Sequence, residues 1–131
     1  MPATQIDIRM QYSAEQEQQL LNSVFAALQQ SFKLPVYDRN IRLQVHEPHR
    51  FQVFDPLSQP ERFTHITIDC FAGRSVEAKR KLYQHMVKYL VAFGIPADHI
   101  LITLRESPLE NWGIRGGQAA CDVDLGFQVD V

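Results

Sequence analysis

Few residues in this sequence have the type and the position that chemistry requires, and Arg74 is the most informative of them. Arg74 directly precedes Ser75, whose hydroxyl can cap the N-terminus of a following helix. Free backbone N–H groups and the helix dipole favour anions at such an end, so an anion site beside this arginine is physically coherent. The competing interpretation is a solvated surface arginine.

Two other segments suggest chemistry less strongly. His46-Glu47-Pro48-His49 carries metal-binding side chains, but its proline breaks helical spacing and no third ligand is suggested by position. Arg115-Gly116-Gly117 has too few glycines, and no following helix, to bind a phosphate. We therefore expect no metal site, and no Ser/His/Asp or Cys/His catalytic arrangement follows from the spacing.

The composition of the 131 residues argues against several classes of function. The formal charge is −2 and the thirteen Lys and Arg residues are spread along the chain, which argues against a nucleic-acid partner. No segment approaches the roughly 20 apolar residues of a membrane span, and the N-terminus lacks the pattern of a signal peptide. We expect a cytoplasmic protein without membrane contact, in which Cys70 and Cys121 are reduced thiols.

The first half of the chain predicts a strand, a helix and a second strand. Apolar and polar side chains alternate over residues 5–10, as in a strand with one buried face. Ser13 begins a capping box with Gln16, and apolar residues at spacings of three and four predict a helix from about Ala14 to Phe32. A second strand is predicted over Ile41 to Val45.

The same order of elements returns in the second half. Residues 65–71 alternate like the first strand, and Ser75 can cap a helix that ends at Gly94. A strand over residues 100–105 follows. The turn Phe93-Gly94-Ile95-Pro96 matches Phe32-Lys33-Leu34-Pro35 of the first half, which indicates an internal repeat.

These patterns predict a single α+β domain that spans the chain. It consists of two tandem β-α-β units, at about 2–46 and 64–106, and a C-terminal tail at 107–131. Four strands with one aliphatic face each predict a four-stranded sheet with two helices on one face.

Three other features concern the surface. The uncovered face of the sheet is expected to meet water or to pair with charges in an oligomer. The segment 47–64 predicts a loop with a small hairpin or lid, and a short strand is expected at 127–129. The uncovered face would display Asp7, Arg9, Arg42, Gln44, Thr67, Asp69, Thr103 and Arg105.

A proline after the initiator methionine, two related β-α-β units and a length near 130 residues together resemble the tautomerase superfamily. Within it the chain is most similar to malonate semialdehyde decarboxylase and its relatives, along essentially its whole length. The motifs that carry the likeness are Phe32-x-x-Pro35-x-x-Asp38-Arg39, Gly73-Arg74-Ser75-x-Glu77-x-Lys79 and Asn111-Trp112-x-x-x-Gly116. The resemblance implies a homotrimer, a small carboxylate substrate and no cofactor.

The resemblance also implies a catalytic amino-terminal proline, so Pro2 would act as general base or acid once Met1 is removed. A retained methionine would turn the secondary amine into an amide without a basic lone pair. Partial desolvation and a neighbouring guanidinium disfavour a protonated amine, and a neutral amine can abstract a proton near pH 7. Arg74 matches an arginine that binds the substrate carboxylate.

Three further positions acquire roles by the same resemblance. Asp38 matches an acidic residue near the proline, although it could instead cap the turn after Pro35. Trp112 and Ile114 match an apolar wall that excludes water from the site, although a lone tryptophan more often fills a core.

The predicted function is therefore cofactor-free keto–enol tautomerisation of small 2-oxo acids, with Arg74 binding the carboxylate and Pro2 moving the proton. One alternative is a hydratase or decarboxylase in which protonated Pro2 is the acid and Asp38 activates water. Ala72 stands where the resemblance implies a second arginine, which weighs against the decarboxylase. Another alternative is a non-enzymatic binding or signalling protein on this fold, which a retained Met1 would favour.

Overall fold

The computed structural model of the protein describes residues 2–126. Strands and helices follow in the predicted order, and the predictions for Met1 and for residues 127–129 lie outside the described residues. The main elements are β1 (Ala3–Ile8), α1 (Ala14–Phe32), β2 (Ile41–Val45), β3 (Thr64–Phe71), α2 (Val76–Phe93) and β4 (Ile100–Ser107).

The four strands form one mixed sheet in the order β2-β1-β3-β4. Each β-α-β unit contributes a parallel pair, β1 with β2 and β3 with β4, and the units join through the antiparallel pair β1 and β3. The helices pack against each other and against the aliphatic face of the sheet. The predicted fold class is confirmed.

Local sequence explains the limits of α1. The Gln16 backbone N–H donates to Ser13 Oγ at 3.1 Å, and the Ser13 N–H donates to Gln16 Oε1 at 2.9 Å, so the predicted capping box forms. Lys33 ends the helix in the left-handed region, at a φ of 55°. The helix begins and ends at the predicted residues.

The core lies between the helices and the inner faces of β1 and β3. The predicted strand at 5–10 is wrong at both ends, because β1 starts at Ala3 and stops at Ile8, and the half-buried Met10 lies in the bend that leads to α1. Thr4 supplies the third core position of β1 instead. The fully buried side chains include Ile6, Ile8, Leu20, Leu28, Phe32, Ile66, Ile68, Leu82, Met86 and Leu90.

The segments outside the two units differ from expectation. Residues 47–63 contain 3₁₀ turns at Pro48–Arg50 and Pro60–Arg62 rather than a hairpin. β4 runs two residues past the predicted end because Ala72 N–H donates to Ser107 O at 2.9 Å and extends the pairing with β3. The tail forms a short antiparallel pair, β5 (Gly113–Ile114) and β6 (Gln118–Ala119).

The uncovered face of the sheet is polar, as predicted, and its side chains pair across strands. Arg105 donates to both carboxylate oxygens of Asp69, at 2.8 and 2.9 Å, and Arg42 donates to Gln5 Oε1 at 3.1 Å. Among the helices of residues 2–126, none is long and apolar enough to cross a membrane.

Candidate active site

Three segments converge at the end of the sheet where β1 begins. Pro2 is buried and continues the inward alternation of β1. Ala3 pairs with Asp69, so Pro2 lies beside the last residues of β3. The Thr4 N–H donates to Asn40 O at 3.0 Å, which brings the segment that contains Asp38 alongside the same end of β1.

The Arg74 side chain is buried at this end of the sheet and is only partly satisfied. The residue is 5% exposed, and its guanidinium carbon lies 4.0 Å from the centre of the Phe32 ring. Nη1 donates to Phe71 O at 3.4 Å, whereas Nε and Nη2 are buried and bind no partner in the described part of the chain. A buried guanidinium with unsatisfied donors costs free energy that a bound anion would recover.

The electrostatics of Arg74 agree with this picture. Burial lowers the pKa of Arg74, while Cys70, Glu106 and Asp38 act in the opposite direction. The side chain stays protonated near neutral pH because an arginine ordinarily titrates far above neutrality. The site therefore carries a desolvated positive charge with acidic groups within electrostatic reach.

Asp38 has a structural role as well as an electrostatic one. Its backbone N–H donates to Pro35 O at 3.0 Å, so it belongs to the turn after that proline. The residue is half-buried. The structure thus places Asp38, Pro2 and Arg74 at one end of the sheet.

Trp112 and Ile114 pack around Phe71. The Phe71 and Trp112 rings meet edge to face with centroids 4.9 Å apart, and Trp112 Nε1 donates to Ser107 Oγ at 2.8 Å. Ile114 is buried in the same cluster. Because Phe71 supplies the carbonyl that Arg74 binds, this cluster holds the backbone that positions the guanidinium.

The sequence did not predict two neighbours of Arg74, which are Cys70 and Glu106. Cys70 is buried, and burial raises the pKa of its thiol, which keeps it protonated. Glu106 faces Cys70 across the β3–β4 pairing and forms an ion pair with Lys79 at 2.6 Å. No sequence pattern marks these residues as neighbours, because their proximity depends on the register between strands.

The candidate metal segment takes part in other contacts. His46 Nε2 lies 2.6 Å from Asp7 Oδ1, and its ring packs on Phe51 with centroids 5.1 Å apart. Within residues 2–126, no group of three or more His, Cys, Asp or Glu side chains is placed to hold a metal ion.

Comparison with known proteins gives one family and several related structures. A Tautomerase_2 family model, described as "Tautomerase enzyme", matches residues 38–115, more than half of the chain. The crystal structure of FG41 malonate semialdehyde decarboxylase, inhibited by 3-bromopropiolate, is 24% identical with a TM-score of 0.79, over 89% of this chain and 92% of that chain.

Two further structures share the fold. Malonate semialdehyde decarboxylase, described with decarboxylase and hydratase activities, is 22% identical with a TM-score of 0.81, over 93% of this chain and 99% of that chain. A fused 4-OT, solved as an asymmetric trimer, is 18% identical with a TM-score of 0.81, over 92% and 97% of the two chains. At these identities the likeness establishes the fold rather than the activity.

Proposed function

This chain belongs to the tautomerase family, as its sequence motifs predicted, and from that premise we propose that it catalyses keto–enol tautomerisation of small 2-oxo acids without a cofactor. One observation carries the proposal: the buried Arg74 guanidinium has two unsatisfied nitrogens at the end of the sheet where Pro2 lies. A substrate carboxylate would satisfy these donors and neutralise the charge.

The proposed proton transfer uses Pro2 after removal of Met1. The burial of Pro2 and the positive charge of Arg74 both favour the neutral amine over the protonated one. In the enol-to-keto direction the amine takes the enol hydroxyl proton, and the resulting ammonium gives a proton to the adjacent carbon as the carbonyl forms. The amine is regenerated, and no oxidant or reductant is needed.

The remaining site residues would act on Pro2 and Arg74. They are Asp38, Trp112 and Ile114. The negative charge of Asp38 opposes the effect of Arg74, so it would tune how readily Pro2 holds a proton. Trp112 and Ile114 would keep water from the site and, through Phe71, hold Arg74 in place.

We also propose a homotrimer that buries the polar face of the sheet. The cross-strand pairs on this face, such as Asp69 with Arg105, leave few unpaired charges to desolvate on assembly. A fused 4-OT of the same fold is trimeric. Light scattering after size-exclusion chromatography should give three times the 15.1 kDa of one chain.

A hydratase or decarboxylase is the second candidate, and Asp38 favours it. A carboxylate within electrostatic reach of Arg74 could activate a water molecule while protonated Pro2 acts as the acid. Ala72 is exposed and offers no second guanidinium for the substrate. Turnover of malonate semialdehyde that exceeds enol turnover would favour this candidate.

The proposal is tested by intact mass followed by phenylpyruvate enol–keto turnover. We expect loss of Met1, and we expect Pro2→Ala to lower kcat by at least about 100-fold, since general acid–base catalysis contributes that much. Retained Met1, or full activity of Pro2→Ala, would overturn the proline mechanism and favour a binding protein on this fold.

A further inference from the structure

The end row of the sheet places an acidic residue near the proposed carboxylate site. Cys70 on β3 pairs with Glu106 on β4. Both continue the alternation of residues on the sheet face that the helices cover. Arg74 begins the turn into α2 three residues after Phe71, whose carbonyl it binds. Glu106 is also close enough to act electrostatically on Arg74, whose Nε and Nη2 are unsatisfied.

A carboxylate in this position competes with substrate. Glutamate has a flexible side chain, and a hydrogen bond from a guanidinium to a carboxylate is among the strongest in proteins. If Glu106 turned toward Arg74, it would occupy the donors that the substrate needs.

Lys79 binds the Glu106 carboxylate. Lys79 Nζ lies 2.6 Å from Glu106 Oε1, with the two side chains 24% and 29% exposed. Lysine in the first turns of a helix opposes the helix dipole, so local helix energetics do not favour it there. Hydrogen bonding to Glu106 raises the pKa of Lys79, which keeps the ion pair charged.

We infer that Lys79 is a positioning residue for the site: it retains Glu106 and so leaves Arg74 free to bind a carboxylate substrate. The inference rests on the proposed function, because it assigns a role relative to the same arginine. In the absence of Lys79, Glu106 acts as an internal competitor for Arg74.

The test compares Lys79→Met with Lys81→Met, which removes the same charge from an exposed position two residues away. We expect Lys79→Met to raise KM for the phenylpyruvate enol by about tenfold with little change in kcat, as competition for a binding group predicts. Lys81→Met should leave KM within about twofold. Lys79→Arg should preserve the wild-type KM.

The decisive variant is the double mutant Lys79→Met, Glu106→Gln. Removal of the competing carboxylate should restore KM toward the wild-type value, whereas a merely structural role of Lys79 would leave the double mutant at least as impaired. Equal KM for Lys79→Met and wild type, or no rescue by Glu106→Gln, overturns the inference.

A binding measurement separates this inference from the proposed function. Calorimetric titration with 3-phenylpropionate, an unreactive carboxylate, should show the same weakening in Lys79→Met and the same rescue in the double mutant. If the three proteins bind 3-phenylpropionate in that pattern but wild type shows no enol turnover, the tautomerase proposal fails and the role of Lys79 stands. If wild type does not bind it, both fail.

Discussion

The two ends of the sheet share one arrangement of helix termini but differ in the side chains that occupy it. Arg74 precedes the cap of α2 and stacks on Phe32 near the end of α1, while Tyr12 precedes the cap of α1 and packs edge to face on Phe93, with centroids 5.2 Å apart. Each end thus joins the start of one helix to the last phenylalanine of the other. The residue that precedes the helix cap is a cation at the first end and a tyrosine at the second.

The difference arises from what precedes each strand. β1 is preceded by Pro2, whereas β3 is preceded by the connecting segment, which occupies the second end. There Arg62 Nη1 donates to Gly94 O at 3.2 Å, and the Gln59 N–H donates to the buried His99 Nε2 at 3.0 Å. The two repeated units therefore build the same helix arrangement at both ends. The candidate site lies at the end that the connecting segment does not occupy.

The largest difference between the two ends is expected when Arg74 and Arg62 are each replaced by methionine. Arg74→Met should lower kcat/KM by about 1,000-fold, because a charge-assisted bidentate contact is lost. The same variant should unfold at equal or higher urea concentration, since a buried and partly unsatisfied charge is removed.

At the second end, Arg62→Met should behave in the opposite way. It should leave turnover unchanged and lower the free energy of unfolding by about 1 kcal/mol, the worth of its hydrogen bond to Gly94 O. Urea titrations and enol turnover on both variants measure this difference. A comparable loss of activity in both would show that the ends are not functionally distinct.

The two phenylalanines sharpen the comparison on the scale of stability. Phe32 is fully buried and Phe93 is half-buried. Phe32→Ala should cost about 3–5 kcal/mol, since a buried aromatic leaves a cavity, and Phe93→Ala should cost roughly half as much. Chemical denaturation of both variants gives the values, and equal costs would contradict the stronger packing of the site end.

A smaller effect is expected at the helix caps. Ser13→Ala should destabilise the protein by about 1 kcal/mol, because it removes one half of a capping box. Turnover should be retained, since Ser13 lies at the end opposite Pro2. Thermal unfolding and enol turnover check both parts, and loss of activity in the refolded variant would count against the division between the ends.

The smallest expected difference concerns the two free thiols. Cys70 at the site end is buried with its pKa raised by desolvation, and Cys121 in the tail is exposed. A thiol reagent at pH 8 should modify Cys121 alone in the native protein and both in urea. Because the pKa of Cys70 is higher in the folded state, its contribution to stability is present below the usual thiol pKa and declines as pH rises above it.

Local features of the sequence were sufficient for the elements. The alternation in β1 and β3 and the caps at Ser13 and Ser75 depend on neighbours within four residues, so they predicted the strands and helices with errors of one or two residues. The exceptions, such as Met10, lie where a strand must turn into a helix. The motif likeness assigned Pro2, Asp38 and Arg74 to one site, and that assignment stays a prediction.

Local sequence patterns did not predict the contacts between segments that are distant in the chain. The cluster of Phe71, Trp112 and Ile114 requires the tail to return to β3, and the pairing of Lys79 with Glu106 requires the β3–β4 register. Neither requirement leaves a periodic signal in the chain.

The sequence by itself determined which residues form the two repeated units and which of them resemble a family's catalytic groups, because capping and periodicity are short-range. Only the tertiary structure decided that Arg74 is buried on Phe32 with unsatisfied donors and that Glu106 acts electrostatically on it. Burial and electrostatic environment are properties of the assembled core, since they depend on every segment packed around a group.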